Sequence, residues 1–219
     1  MISRPRFAKE RSSAMNTLEA IHTRRSTRRF SDKPIEDEKL DAILNAGRFA
    51  PSGGNSQNCH FLVVRSKKVL AKLAELAQTA FAEMEITEDM YKSIAHSIRA
   101  SKQGGYVFHY DPDCLIIVAN QKDYGNNIAD TACALENMML AANELDLGSV
   151  WINQLRWLNE DETLLGYERE LGLEENERVY GALAVGYADT ESGMPERNPL
   201  ERTGNKVTYI TDEDDFCGE

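Results

Sequence analysis

The sequence predicts a single α+β domain, and three observations carry that reading. At 219 residues and 42% hydrophobic content the chain can bury one substantial core, with no second independent domain expected. Apolar residues recur at helical spacing over residues 36–49 and 128–147. Short continuous apolar runs at 61–64 and 115–119 suit buried strands. No internal repeat is evident.

The elements follow in order. Residues 1–15 form a basic leader without apolar period, expected to be disordered or to mark an upstream start, and the domain proper spans 16–211. Asn16 and Glu19 make a capping-box-like start for a short helix, with Leu18 and Ile21 as its inner face, ending at Arg24. A second helix at 36–49 buries Leu40, Ile43 and Leu44 and is closed by Pro51. Residues 61–64 form the first core strand and 67–82 a helix. Residues 83–110 have mixed polarity, adjacent glycines and no clean period, as a lid would. Residues 115–119 form a buried strand.

The most regular helix, 128–147, carries Leu135, Met138, Met139, Ala142 and Leu145 on one stripe and is terminated by Gly148. Asn159 and Glu162 open a further capped helix to 171. Residues 180–185 form a strand, 206–210 another, and 212–219 a solvated acidic tail.

Composition excludes several function classes. A net charge of -11 argues against nucleic acid or an anionic membrane as partner, because the bulk of the surface would repel either. Cys59, Cys114, Cys133 and Cys217 have no CxxC spacing, and Cys114 and Cys133 lie in apolar patterns where a thiol packs as a small hydrophobe, so neither disulfide nor zinc is expected. His22, His60, His96 and His109 show no metal-ligand spacing. No apolar run is long enough for a membrane span and no signal core is seen, which predicts a cytoplasmic protein.

Two motifs carry chemistry. Arg24-Arg25-Ser26-Thr27-Arg28 clusters guanidinium forks around hydroxyls at a helix end, a group suited to a phosphate dianion through charge-assisted bidentate hydrogen bonds. One helix later, Pro51-Ser52-Gly53-Gly54-Asn55-Ser56-Gln57 is a small-residue loop. Its glycines admit close approach by a flat ligand, and Ser52 and Asn55 offer donors and acceptors. Each alone reads more simply as a solvated charge run or a plain turn. Together they imply a phosphorylated planar cofactor.

The order RRSTRRF, Lys33-Pro34, helix, APSGGNSQ, strand resembles the FMN-dependent nitroreductase family. Residues 148–154 are similar to that family's loop along the flavin, 179–186 to its late core strand and 198–210 to its C-terminal arm, so the likeness covers nearly everything after Met15. Pro112 precedes Asp113 where relatives commonly carry Ala-Pro. The resemblance implies a three-layer α-β-α sandwich around a mixed, mostly antiparallel sheet, in an intertwined homodimer crossed by the 128–147 helix.

It also implies FMN as cofactor and NAD(P)H as transient donor. Arg24, Arg25 and Ser26 would hold phosphate and ribityl, joined by Arg202 from the arm, with Arg197 as the competing register. Arg28 would reach the pyrimidine edge. Pro51, Ser52, Gly53 and Asn55 would approach from the second subunit. Trp151, Ile152, Asn153 and Gln154 would line the ring, with the main-chain N–H of Asn153 or Gln154 facing N5; for Trp151 core packing stands as the alternative. Asp130 would sit beside the flavin or simply serve its helix dipole. No catalytic side chain and no metal are required, since the flavin does the chemistry.

The activity implied is ping-pong reduction of a nitroaromatic, quinone or activated alkene. Specialised flavin chemistry on the same fold, such as reductive dehalogenation or flavin fragmentation, and a non-catalytic flavin- or anion-binding module are the alternatives.

Overall fold

The computed structural model describes residues 15–210; the expected leader up to residue 14, the acidic tail and Cys217 lie outside the described residues. Four strands, β1 (His60–Val64), β2 (Cys114–Gln121), β3 (Gly148–Ile152) and β4 (Glu177–Gly186), pair antiparallel in the order β1-β2-β4-β3. Among the described residues, the parallel component of the expected mixed sheet is the isolated bridge between Ser26 and Ser149. The continuous apolar run of β2 has its reason here: as an inner strand it is covered on both faces.

Strand alternation divides the core in two. Leu115, Ile117 and Ala119 of β2 and Ala182 and Ala184 of β4 face one cluster, while Cys114, Ile116, Val118, Leu183 and Val185 face the other. Among the described residues seven helices cover these faces: α1 (Thr17–Thr23), α2 (Asp37–Arg48), α3 (Lys67–Glu83), α4 (Lys92–Gln103), α5 (Asn127–Glu144), α6 (Gln154–Trp157) and α7 (Glu162–Glu170). Leu70, Leu73 and Phe81 of α3, Ile98 of α4 and Leu164 of α7 fill the first cluster; Leu40 and Ile43 of α2 and Leu135, Met138 and Ala142 of α5 fill the second. The result is the three-layer α-β-α arrangement.

Several local expectations need correction. Residues 83–110 contain α4, whose Ala95, Ile98 and Ser101 recur at helical spacing and are buried. The polar residues between them had masked the period. Asp161, not Asn159, caps α7, accepting the Leu164 N–H at 2.8 Å. Asn159 instead joins both main-chain groups of Val179, donating to its carbonyl at 2.7 Å and accepting its N–H at 3.0 Å. β3 pairs with β4 only as far as Ala182, so Val179 lies beyond its end and these groups fall to a side chain.

α5 ends before Gly148: Asp146 takes the left-handed conformation (φ 62°) and the Leu147 N–H closes onto Ala142 O at 2.8 Å. Residues 148–152, expected as a loop, are β3, and 206–210 form no strand. Cys133 is exposed on the outer side of α5, on the face of Glu136, away from the Leu135–Met138–Ala142 stripe. In α1 the buried residue is Ala20, while Leu18 and Ile21 are 66% and 44% exposed.

Candidate functional site

The arginine turn is held by the edge of the sheet. The Asn16 side chain caps α1 by accepting the Glu19 N–H at 3.0 Å, as the sequence predicts, and the helix closes with Arg24 N–H on Ala20 O at 3.0 Å. The chain then lies along β3, with Thr27 N–H donating to Ser149 O at 3.0 Å. Contact is so close that a Cβ on Gly148 would stand 2.6 Å from Thr27 Oγ1. Glycine is therefore required there for proximity, not for helix termination.

The electrostatics of this turn are unusual for so acidic a chain. With 36 acidic against 25 basic side chains, several arginines find a carboxylate: Arg29 pairs with Asp189, Arg65 with Asp37 and Asp113, Arg169 with Glu175 and Arg197 with Asp146. Among the described residues Arg24 and Arg28 have none, although Arg24 is only partly exposed. Arg28 lies 6.0 Å above the Tyr110 ring, and Arg25 donates to the carbonyl of Asn198 in the arm. Arg197 also donates to Asn143 Oδ1 at 3.2 Å and is thus fixed to the end of α5, whereas Arg202 is exposed and unpaired among the described residues.

The Pro51–Gln57 stretch is held at the other end of α5. Gly53 N–H donates to Asp130 Oδ1 at 3.1 Å, and Ser52 Oγ accepts the Gln57 N–H at 3.1 Å. Tyr124 Oη lies 3.0 Å from Asp130 Oδ2 and 3.0 Å from Ser56 Oγ. A Cβ on Gly53 would fall 2.1 Å from Asn126 Nδ2, and Asn55 and Gln57 adopt positive φ of 56° and 53°. The buried Asp130 carboxylate, expected beside the flavin or on the helix dipole, thus braces this loop. Pro51, Ser52 and Asn55 border a groove of about 630 Å³ that also includes Phe49, Cys59 and Ala134.

Trp151 packs its ring on the second core cluster and donates its indole N–H to Asn153 Oδ1 at 2.9 Å; Ile152 is buried on the opposite face. The core reading of Trp151 therefore describes its side chain. Gln154 reaches Tyr106 Oη at 3.0 Å. Sequence reasoning missed Tyr106 and Tyr124, whose site partners Gln154 and Gly53 lie 48 and 71 residues away and leave no local signal.

The arginine turn and residues 151–154 therefore share one sheet edge, but the glycine loop does not join them within the chain. Asn143 Nδ2 donates to Ala20 O and Thr23 Oγ1, both at 3.1 Å, tying the arginine turn to the end of α5, while Asp130 ties the loop to its start. Thirteen helical residues put these anchors about 20 Å apart.

Among the described residues no cluster of His, Cys, Asp and Glu could hold a metal, and no helix is long and apolar enough to cross a membrane. Comparison with known proteins places this arrangement. A putative NADH dehydrogenase/NAD(P)H nitroreductase of Archaeoglobus fulgidus is 32% identical over 82% of this chain and 89% of its own. A crystal structure of a nitroreductase with bound FMN from Bacteroides fragilis superposes with a TM-score of 0.74 at 35% identity, covering 89% of this chain and 97% of that one. Another, from Desulfitobacterium hafniense and also with bound FMN, gives 0.72 at 25% identity over 89% and 98%. The family model described as Nitroreductase family matches residues 21–187, from within α1 to just past β4. Because that span takes in the arginine turn, the braced loop and the whole sheet that separates them, the chain belongs to the Nitroreductase family.

Proposed function

We propose that this chain is an FMN-dependent oxidoreductase that takes hydride from NAD(P)H and passes electrons to an organic acceptor, a nitroaromatic, quinone or activated alkene, by a ping-pong sequence in the cytoplasm. The observation that carries the reading is a run of arginines without a carboxylate partner among the described residues, Arg24, Arg25 and Arg28, that the chain lays along the same sheet edge as residues 151–154. FMN supplies, when bound, a hydride acceptor that both substrates can reach in turn. Arg24, Arg25 and Ser26 bind its single terminal phosphate, and Arg25, through Asn198, brings in the arm that carries Arg202. Arg28 sets a positive charge at the pyrimidine edge, which favours the reduced form.

The site is shared in a homodimer. A flavin held by the arginine turn lies about 20 Å along α5 from the loop of its own chain, so a second copy with α5 reversed by a two-fold axis brings Pro51, Ser52, Gly53 and Asn55 to it. Exposed apolar side chains lie where such a copy would pack: Leu18 and Ile21 on α1, Phe49 beside the loop and Ile128 at the start of α5.

Two measurements test the reading. Heat-released cofactor from the purified protein should chromatograph as FMN; recovery of FAD, or a colourless protein that FMN cannot reconstitute, would refute it. Arg24→Ala and Asn55→Ala, each inactive alone, should regain roughly a quarter of wild-type activity when unfolded together and refolded as a mixture, since each mixed dimer then holds one intact site. Mixed dimers confirmed by mass but without activity would eliminate the shared site.

A further inference from the structure

The sequence leaves two main-chain donors, the N–H of Asn153 and that of Gln154, as alternatives for the one facing the flavin. Their surroundings differ. Asn153 N–H donates to the Gln154 side chain, Oε1, at 3.2 Å. Gln154 N–H has no acceptor among the described residues.

What keeps the Gln154 carboxamide turned this way is a chain of hydroxyls whose direction can be assigned. Ser97 Oγ gives its hydrogen to Ser93 O at 3.1 Å, so toward Tyr106, 2.8 Å away, it accepts. Tyr106 Oη thus spends its hydrogen on Ser97 and accepts from Gln154 Nε2 at 3.0 Å. Each hydroxyl has one hydrogen and one acceptor for it, which leaves the carboxamide oxygen pointing at Asn153.

Tyr106 is itself fixed by three elements. Its N–H donates to Gln78 Oε1 of α3 at 2.7 Å, its ring meets Phe81 edge-on with centroids 6.4 Å apart, and its hydroxyl meets the fully buried Ser97 of α4. Burial also pushes the hydroxyl's pKa up, so it stays a donor across the neutral range.

We propose that Tyr106 is a positioning residue: acting through Gln154, it keeps the Asn153 N–H occupied and leaves the Gln154 N–H as the donor that this segment offers to the flavin ring. The proposal rests on the FMN reading above. It also makes α4, in the segment expected to act as a lid, the structural support of that donor pattern.

The test is nitrogen–proton spectroscopy on the full chain, titrated with FMN. In the wild type, the Asn153 amide should exchange slowly with solvent, and FMN should shift the Gln154 amide more than that of Asn153. Tyr106→Phe keeps the ring and its Phe81 contact but removes the relay, so Asn153 exchange should accelerate roughly 2- to 12-fold, the loss of one hydrogen bond. Ser97→Ala should act in the same direction, and the double variant should do no more than Tyr106→Phe alone, as members of one relay must. Unchanged Asn153 exchange in Tyr106→Phe, additive effects in the double variant, or FMN shifting Asn153 in place of Gln154 would overturn the proposal. A chain that takes up no FMN ends the flavin reading and with it the role of the Gln154 N–H; the exchange comparison then still decides whether Tyr106 holds the carboxamide.

Discussion

Glu168 gives the sharpest quantitative expectation. It follows Leu164 and Leu165 by four and three residues on α7, so the helix turns its carboxyl onto the same buried stripe, where it is 2% exposed and its Oε1 finds no hydrogen-bond partner among the described residues. Burial pushes its pKa up to about 8 from an ordinary 4.5, against the opposing pull of the Arg178 guanidinium. Below pH 4.5 the side chain is protonated in both folded and unfolded chains, and the stabilising preference for the neutral acid is fully present. Between pH 4.5 and 8 the folded chain holds a proton that the unfolded chain has released, so stability falls as pH rises. At about 1.4 kcal/mol per pH unit the accumulated loss reaches up to about 5 kcal/mol.

Glu168→Gln keeps the shape and removes the titration. Urea unfolding at fixed protein and flavin concentration, at half-unit steps from pH 4.5 to 9, should show the variant gaining on the wild type through that window and holding a constant lead above pH 8. A difference that is independent of pH, or one that shrinks as pH rises, would refute the buried neutral acid.

Three further expectations concern the segments that position the site. Gly148→Ala drives a methyl group to within 2.6 Å of Thr27 Oγ1 and should cost about 1–3 kcal/mol while weakening FMN retention, with Thr27→Gly restoring both; retention equal to wild type would mean the arginine turn does not depend on this contact. Asp130→Ala leaves the Gly53 N–H and Tyr124 Oη without their carboxylate, so flavin titration should give a Kd raised about tenfold or more, and an unaltered Kd would show that the loop holds without its brace. Asn159→Ala strips both partners from Val179 beyond the end of β3 and should lower stability by about 1–3 kcal/mol in denaturant, with FMN affinity unchanged; loss of affinity at full stability would contradict a purely structural role.

What the sequence made legible was whatever local spacing encodes. The apolar stripes of α2, α3 and α5, the buried run of β2 and the Asn16 cap all lie within a few residues of their own signal, and the structure has each of them. Long-range pairing was not legible. Asn159 has the spacing of a cap, but the main chain of Val179, 20 residues on and beyond the end of β3, claims its side chain and Asp161 caps in its place. Gly148 follows a helix as a terminator would, but its reason is Thr27, which lies far back in the chain. For the site, the arginine turn and the glycine loop were visible as motifs, whereas the braces Tyr124 and Tyr106 were not, because hydrogen bonds over tens of residues leave no periodicity.

The exposed face of α1 is a different kind of discrepancy. Leu18 and Ile21 have the spacing of a buried stripe, yet one chain leaves them open and buries only Ala20. A seven-residue helix is too short to be stable in water by propensity alone, so α1 must be held by packing, and within the chain that packing comes from the end of α5 through Asn143. Covering the outer stripe as well would fix the helix that delivers Arg24, Arg25 and Ser26 and would remove two large apolar side chains from water, at about 1.5–3 kcal/mol for each one fully buried. A second copy placed to carry its glycine loop to the arginine turn must pass beside this helix, because α1 and the arginines are consecutive in the chain. Under the shared-site reading, then, flavin binding and dimer packing stabilise the same short helix. Loss of one should weaken the other, which gives the apolar spacing of Leu18 and Ile21 a physical reason that the isolated chain does not supply.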